Sequence, residues 1–167
     1  MTCSFRKLEA TDQAIVRRFL YHAIFLPAET KPPPESIVDH QNLIRYWRSW
    51  GGRHDLGFGA FMGSTPIGIA WSRLFPDDAP GYGFVDRTTP ELSMAVLAAY
   101  RNRGIGGRLL ELLVQELRAT GCKALSLSVN KRNPAIRLYQ RFGFETIAAP
   151  GDDYTMLLQL QAKRPLP

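Results

Sequence analysis

A glycine-rich run, Arg101-Asn102-Arg103-Gly104-Ile105-Gly106-Gly107-Arg108, constrains this 167-residue chain more than any other feature. It lies between a strand-like apolar segment, residues 91–97, and a helix-like apolar-periodic segment, residues 105–117. A glycine-rich turn at the start of a helix leaves backbone N–H groups without partners in the chain, and the helix dipole adds positive character there. Small residues also let a ligand approach the backbone closely. The run therefore predicts an anion site, most naturally for phosphates.

The spacing of this run does not fit the two commonest phosphate motifs. A P-loop closes on Gly-Lys-Ser/Thr, whereas arginine and leucine follow Gly107 here. A dinucleotide fingerprint needs a third glycine at the position that Leu109 occupies. What remains is the pattern Arg-x-x-Gly-x-Gly, formed by Arg101, Gly104 and Gly106.

A second motif lies about one helix and one strand downstream, where Asn133-Pro134-Ala135-Ile136-Arg137-Leu138-Tyr139 is followed by Phe142-Gly143-Phe144. Together the two motifs resemble those of the GNAT family of N-acetyltransferases. The pyrophosphate loop of that family reads Gln/Arg-x-x-Gly-x-Gly/Ala, and its second cofactor motif is similar to residues 133–144. The resemblance extends over residues 90–148, and residues 1–89 belong to the part of the family that varies.

The pattern of apolar residues and turn residues predicts an α/β fold in the order β-α-α-β-β-β-α-β-α-β-β, which is also the order of the family. We expect a mixed, mostly antiparallel central sheet of about seven strands with helices on both faces. The resemblance implies that this sheet is splayed between the fourth and fifth strands and that the fourth strand bulges. Residues 1–160 are expected to form a single N-acetyltransferase domain, followed by a loose tail, 161–167. The second helix is predicted over residues 35–50.

The resemblance implies that acetyl-CoA is the co-substrate. Backbone groups of the fourth strand would bond the pantetheine arm and polarise the thioester carbonyl, and backbone N–H groups of residues 102–107 would bind the pyrophosphate. Two alternative interpretations stay open. The side chains of Met94 and Val96 can simply face the core, and Asn133 can act as a helix cap without contacting the cofactor. The implied cofactor contacts are Met94, Ala95, Val96, Arg101, Asn102, Arg103, Gly104, Ile105, Gly106, Gly107 and Asn133.

Two residues are candidates for proton transfer. By its periodicity Tyr139 is an ordinary core aromatic, but the resemblance implies that it protonates the leaving thiolate of coenzyme A. Glu91 opens the fourth strand and is either a surface charge or a base that acts through water. Other sources for the base are water alone or the carboxylates of the preceding loop, Asp77, Asp78 and Asp86.

By resemblance, the chain is an acetyl-CoA-dependent N-acetyltransferase in which a primary amine attacks directly in a ternary complex. The alternative is a sensor of the same fold that binds acyl-CoA without turnover. The acceptor is expected to be a small-molecule or peptide amine, held by residues 25–37, 75–86 and 150–153. Relatives are often dimers, so a homodimer is compatible with this prediction.

The net charge of +6 falls on one part of the chain. Residues 98–145 carry nine Lys and Arg against three Glu, whereas charges cancel in the segments before and after them. Such a surface attracts a polyanion such as coenzyme A, although a solvated basic face would look the same. We find no nucleic-acid motif, so no nucleic-acid partner is expected.

Composition and cysteine spacing indicate the cellular compartment that we expect for the protein. No apolar stretch approaches the length of a membrane span, and the first residues lack the apolar core of a secretory signal. Cys3 and Cys122 are far apart, which argues against a disulfide framework and against a metal site. We therefore expect a reduced cytoplasmic protein with no bound metal and no membrane partner.

Overall fold

The computed structural model describes residues 2–161, which build one mixed sheet with helices on both faces. Within this range the sheet has seven strands in the order β1-β2-β3-β4-β5-β7-β6, which confirms the predicted fold. Residues 162–167 of the predicted tail lie outside the described residues. The strands are β1 (Cys3–Lys7), β2 (Leu56–Met62), β3 (Thr65–Arg73), β4 (Glu91–Val96), β5 (Ala124–Asn130), β6 (Glu145–Ala148) and β7 (Asp153–Gln159). The helices are α1 (Gln13–Ala23), α2 (Ile105–Ala119) and α3 (Ile136–Arg141).

The sheet consists of two antiparallel parts that meet at β4 and β5. β1 to β4 pair as an antiparallel meander, and β5, β7 and β6 form the second part. β4 and β5 run parallel and pair at one register position, Glu91 with Ser126. The Ser126 N–H donates to the Pro90 carbonyl at 3.0 Å, and no β4–β5 pairing follows within residues 2–161. The two strands therefore separate beyond this point, which confirms the predicted splay.

α2 covers one face of the sheet with an apolar stripe. α2 packs against β2 and β3, and its fully buried leucines belong to one cluster with Ile67 of β3 and Leu127 of β5. Leu112 of the same helix is only partly buried, whereas Val114 is buried. The buried α2 residues are Ile105, Leu109, Leu110, Leu113, Val114 and Leu117.

α1 and two 3-10 turns cover the opposite face. Phe19 of α1 and Trp71 of β3 are buried at the centre of this second cluster. The turns span Glu35–Asp39 and Ile44–Tyr46, so the helix predicted over residues 35–50 is wrong. Side chains of the sheet hold this segment in its irregular path: Trp71 Nε1 donates to the Tyr46 carbonyl, and the Arg73 guanidinium donates to three more carbonyl oxygens.

Candidate active site

The predicted anion site is a sharp turn between β4 and α2. Asn102 and Gly104 adopt the left-handed region, with φ of +59° and +78°, where asparagine and glycine are favoured. The Arg108 N–H donates to the Gly104 carbonyl at 3.0 Å and starts the helical hydrogen-bond pattern. The backbone N–H groups of residues 102–107 have no hydrogen-bond partner in the described part of the chain. Six successive donors at a helix N-terminus fit a diphosphate.

Side chains leave this turn open. A Cβ placed on Gly104 would meet no atom within 4 Å, and one on Gly107 would come only to within 3.8 Å of Leu138. Gly106 faces the methyl group of Met94 at 3.4 Å, measured from the same constructed position. The space beside these three glycines is therefore open or bounded only by ordinary van der Waals contacts.

The arginines around the turn have different partners. Arg101 folds back, and its Nε donates to the Val96 carbonyl at 2.9 Å, which ties the turn to the end of β4. The guanidinium of Arg103 lies over the Tyr100 ring at 5.6 Å and is exposed. Arg108 pairs with Glu111 on the next turn of α2. Arg103 is thus the arginine of this group without an ion-pair or hydrogen-bond partner in the described range.

β4 presents alternate backbone groups to the splay. The Leu97 N–H donates to the Ile67 carbonyl, so the N–H and C=O groups of Ala95 point toward β3. Those of Met94 and Val96 then point toward β5, where the strands have separated. The bulge expected in β4 is wrong for the β3 side, because that register runs without interruption from Glu91 to Val96. Among residues 2–161, the splay leaves the backbone groups of Met94 and the N–H of Val96 without partners, since the Val96 carbonyl accepts from Arg101.

Tyr139 and Asn133 lie on the segment that follows β5. Tyr139 is buried on α3, with its ring edge-on to Phe144 at a centroid distance of 5.7 Å. Burial raises the pKa of Tyr139, so the phenol keeps its proton. Asn133 Oδ1 accepts the Ala135 N–H at 2.9 Å, which is the capping interaction that the sequence predicts.

Glu91 is buried at the point where β4 leaves β5. Its side chain shares a face of the sheet with α1, and only 4% of the residue is exposed. Oε1 accepts the hydroxyl of Tyr46 at 2.7 Å, whereas Oε2 has no partner among residues 2–161. Burial raises the pKa of Glu91 to about 7, although the hydrogen bond from Tyr46 and the backbone of Gly83 act in the opposite direction.

The loop between β3 and β4 covers this carboxyl group. A Cβ on Gly81 would overlap Glu91 Oε2, and one on Gly83 would overlap the β5 backbone at Leu127 and Ser128. Glycine is therefore required at both places for the loop to bridge β4 and β5. The other candidate bases in this loop, Asp77, Asp78 and Asp86, are exposed to solvent.

The three segments predicted to hold the acceptor meet near the end of β5 and over Glu91. Arg132 pairs with Glu29 at 3.1 Å, which brings the first segment to the β5 end. Asn130 Nδ2 donates to Asp153 of the third segment, and Lys131 Nζ donates to the Gly151 carbonyl. The middle segment lies over β5 through Gly83.

Sequence reasoning missed Tyr46. This residue is separated from Glu91 by 45 positions and lies in a segment that was predicted as a helix. No spacing signal connects the two residues in the sequence. A weak signal was available in Gly81 and Gly83, since two closely spaced glycines in a long loop indicate close contact with another group.

Neither a metal site nor a membrane-spanning helix is found among the described residues. Residues 2–161 contain no group of three or more His, Cys, Asp or Glu side chains that is able to hold a metal ion. Within the same residues, no helix combines the length and the apolar character needed to cross a bilayer.

The geometry can be compared with that of known proteins. The acetyltransferase (GNAT) family matches residues 20–144. The chain belongs to this family. The resemblance drawn from the two motifs is therefore confirmed.

Relatives with assigned activities are similar to parts of the chain. Mycothiol acetyltransferase of Corynebacterium aurimucosum is 32% identical over 108 residues, which are 64% of this chain and 31% of that protein. Spermine/spermidine N(1)-acetyltransferase of Bacillus subtilis is 34% identical over 93 residues, 52% of this chain and 57% of that protein. The chain thus spans less than two thirds of the length of either relative.

Solved structures match the whole fold. Salmonella typhimurium YncA, solved with its cofactor acetyl-CoA, superposes with a TM-score of 0.70 at 22% identity, covering 100% of this chain and 99% of that one. The PaiA N-acetyltransferase of Thermoplasma acidophilum in complex with coenzyme A gives 0.66 at 21% identity, covering 95% and 99%. At such identities the likeness establishes the fold.

Proposed function

We propose that this protein is an acetyl-CoA-dependent N-acetyltransferase in which a primary amine attacks the acetyl group directly, while both substrates are bound. The observation that carries the proposal is the row of six unpartnered backbone N–H groups, residues 102–107, beside the splay between β4 and β5. A diphosphate on these amides would direct the rest of an extended ligand into the splay.

The backbone of this chain fits the co-substrate. The amides of residues 102–107 would hold its pyrophosphate, and exposed Arg103 would add positive charge. The backbone groups of Met94 and the N–H of Val96 face the splay and would bond the pantetheine arm, whereas the Val96 carbonyl accepts from Arg101 and Ala95 holds β4 to β3. When bound, acetyl-CoA supplies an activated acetyl group on a thiol leaving group.

Glu91 would accept the proton that the ammonium group must lose before attack. A carboxyl group with a pKa of about 7 is partly ionised at neutral pH and is a suitable general base. Because Glu91 is buried beneath the β3–β4 loop, the proton would reach it through water. The amine nitrogen then forms its bond to the acetyl carbon as the carbon–sulfur bond breaks.

Tyr139 would donate a proton to the departing sulfur. Burial keeps its phenol protonated, so the proton is available at neutral pH. A buried phenol that lost its proton would be recharged from solvent after the products leave. The two proton transfers thus use groups on opposite sides of the splay, Glu91 on β4 and Tyr139 on α3.

We propose a cationic small-molecule amine as the acceptor, with polyamines as the first class to test. Similarity to the Bacillus subtilis enzyme named for spermine and spermidine supports this choice. The segments around the β5 end also expose carboxylates, which attract a positively charged amine. The exposed carboxylates are Glu29, Glu35, Asp77, Asp78, Asp86 and Asp152.

The proposal is tested by incubating the protein with acetyl-CoA and a panel of polyamines, amino sugars and peptides while free thiol is measured. We expect acetyl-CoA to raise the melting temperature and at least one amine to release thiol. The absence of any thermal stabilisation by acetyl-CoA would overturn the proposal.

Variants separate an enzyme from a sensor. Glu91→Gln and Tyr139→Phe should each lower kcat by about 100-fold while the affinity for acetyl-CoA is retained. Glu145→Gln, a change of an exposed carboxylate on β6, is the matched control and should keep full activity. A protein that binds acetyl-CoA but shows no turnover with any amine would instead be an acyl-CoA sensor.

A further inference from the structure

The hydroxyl group of Tyr46 is fixed between a donor and an acceptor. The Tyr82 N–H donates to it at 2.7 Å, and it donates to Glu91 Oε1 at the same distance. A phenol has one proton, so with the amide occupying one lone pair the proton is directed to the carboxylate. Burial raises the pKa of Tyr46, which keeps it a donor over the whole working range of pH.

The ring that carries this hydroxyl is held on several sides. Trp71 Nε1 donates to the Tyr46 carbonyl at 3.1 Å, and the Tyr46 ring packs against Phe75 at a centroid distance of 4.9 Å. The Tyr82 ring stacks on the outer side at 6.3 Å. With only 4% of Tyr46 exposed, its hydroxyl has little freedom to choose another partner.

The second oxygen of Glu91 has a different environment. Oε2 is buried and faces Gly81, where a side chain would overlap it. The backbone of Gly83 is near enough to lower the pKa of the carboxyl group, but no hydrogen bond of normal geometry reaches Oε2 among residues 2–161. A buried carboxylate oxygen without a donor is costly, and protonation lowers this cost because it removes the charge. One oxygen is therefore engaged by Tyr46 and the other is free to take up a proton.

We propose that Tyr46 is a positioning residue for Glu91, which fixes the carboxyl group so that Oε2 is the oxygen that receives the substrate proton. This inference rests on the proposed role of Glu91 as the base. It assigns to the 3-10 turn at Ile44–Tyr46 the task of orienting a group on β4.

The other charged groups around Glu91 are engaged elsewhere. Arg73 lies opposite Glu91 in the β3–β4 register, but its guanidinium donates to Asp55 at 2.9 Å and to backbone carbonyls. Tyr82 reaches the site through its backbone N–H, and β5 has no titratable side chain. Arg45 on the turn is half-buried, and its guanidinium donates to the Pro80 carbonyl. The remaining charged side chains on the loop are exposed: Asp77, Asp78, Asp86 and Arg87.

The test is a titration of Glu91 that does not depend on turnover. In protein labelled with ¹³C at the glutamate carboxyl carbons, the Glu91 signal is assigned by its loss in Glu91→Gln and followed with pH. Tyr46→Phe keeps the ring and removes the donor to the carboxylate. Its Glu91 midpoint should therefore rise by about one pH unit. Tyr21→Phe, which removes a hydroxyl bonded to the Pro33 carbonyl, is the matched control and should leave the midpoint unchanged.

Activity profiles of the same proteins complete the test. In a plot of kcat/KM against pH, the rising part of the curve, or activity limb, should shift to higher pH in Tyr46→Phe together with the Glu91 midpoint. At pH values below this rise, kcat/KM should fall about tenfold relative to the wild type. In a Glu91→Gln background the same change should cause no further loss, because Tyr46 acts through Glu91. A purely structural role predicts additive losses and an unshifted limb.

The outcomes distinguish the two proposals. A Glu91 midpoint that is unchanged in Tyr46→Phe overturns the positioning role, whatever the activity does. A midpoint that moves while the activity limb stays in place supports the contact between Tyr46 and Glu91 and overturns the role of Glu91 as the base.

Discussion

Glu91 couples the stability of the folded protein to pH. Burial raises its pKa from 4.5 to about 7, so folding favours the neutral acid. The corresponding stability is fully present below pH 4.5 and is lost as the pH rises through about 7. The side chain introduced by Glu91→Gln does not ionise, so the unfolding free energy of this variant should not fall in this way. Its advantage over the wild type should therefore grow by about 3 kcal/mol as the pH is raised from about 4.5 to about 8. Urea unfolding at a series of pH values measures this difference.

A surface carboxylate provides the control for that measurement. Glu145 lies on β6, where every residue is exposed. The stability of Glu145→Gln should follow that of the wild type at each pH. If the curves for Glu91→Gln and the wild type ran parallel, the burial of a titrating carboxyl at the start of β4 would be contradicted.

At the residue scale, the sequence predicted those features that depend on neighbouring positions. The glycine-rich turn lies between β4 and α2 as predicted, and Asn133 accepts a neighbouring N–H in the turn before α3. The burial of Glu91 could not be predicted, because it is caused by Tyr46 and Gly81, which reach it through the tertiary fold. A strand-end glutamate looks like a surface charge until those contacts are known.

Secondary-structure elements also differ in how far neighbouring positions in the sequence determine them. α2 begins where the apolar-periodic segment predicted over residues 105–117 begins and ends two residues beyond it, because its apolar stripe and its glycine boundaries are local signals. Residues 35–50 also contain apolar residues at helical spacing, yet they form 3-10 turns. Trp71 and Arg73 of the sheet donate to carbonyl oxygens that a helix would pair with its own amides. Contacts from another element therefore decided the structure of this segment.

Arg73 should accordingly be important for the stability of the segment that carries Tyr46. Its side chain is 14% exposed and donates to Asp55 and to the carbonyls of Arg45, Arg48 and Ser49. Lysine has the charge but lacks the planar set of donors. Arg73→Lys should therefore lower the unfolding free energy by about 2–4 kcal/mol, measured by urea unfolding.

The matched control exchanges an arginine at the surface. Arg17 pairs with Asp39, and both side chains are more than one third exposed, at 35% and 41%. Arg17→Lys should change the unfolding free energy by less than about 1 kcal/mol. Equal losses in the two variants would show that the carbonyl contacts of Arg73 do not hold the turn.

Across the whole molecule, positive charge and the splay lie on the same part of the chain. Residues 98–145 carry the entire net charge of +6, and they include the glycine-rich turn, α2, β5 and α3. The pairing of Glu91 with Ser126 marks the point where this part leaves β4. A ligand with several phosphates would thus approach a positive surface that leads into the splay.

The affinity for acetyl-CoA should therefore depend on salt. Exposed charges are screened as ionic strength rises, so Kd should increase about tenfold between about 50 mM and about 500 mM NaCl, measured by calorimetry. S-acetylpantetheine has the thioester arm without phosphates, and its weaker binding should be nearly independent of salt. Equal salt dependence for the two ligands would mean that the arm, and not the phosphates on the amides of residues 102–107, accounts for the effect.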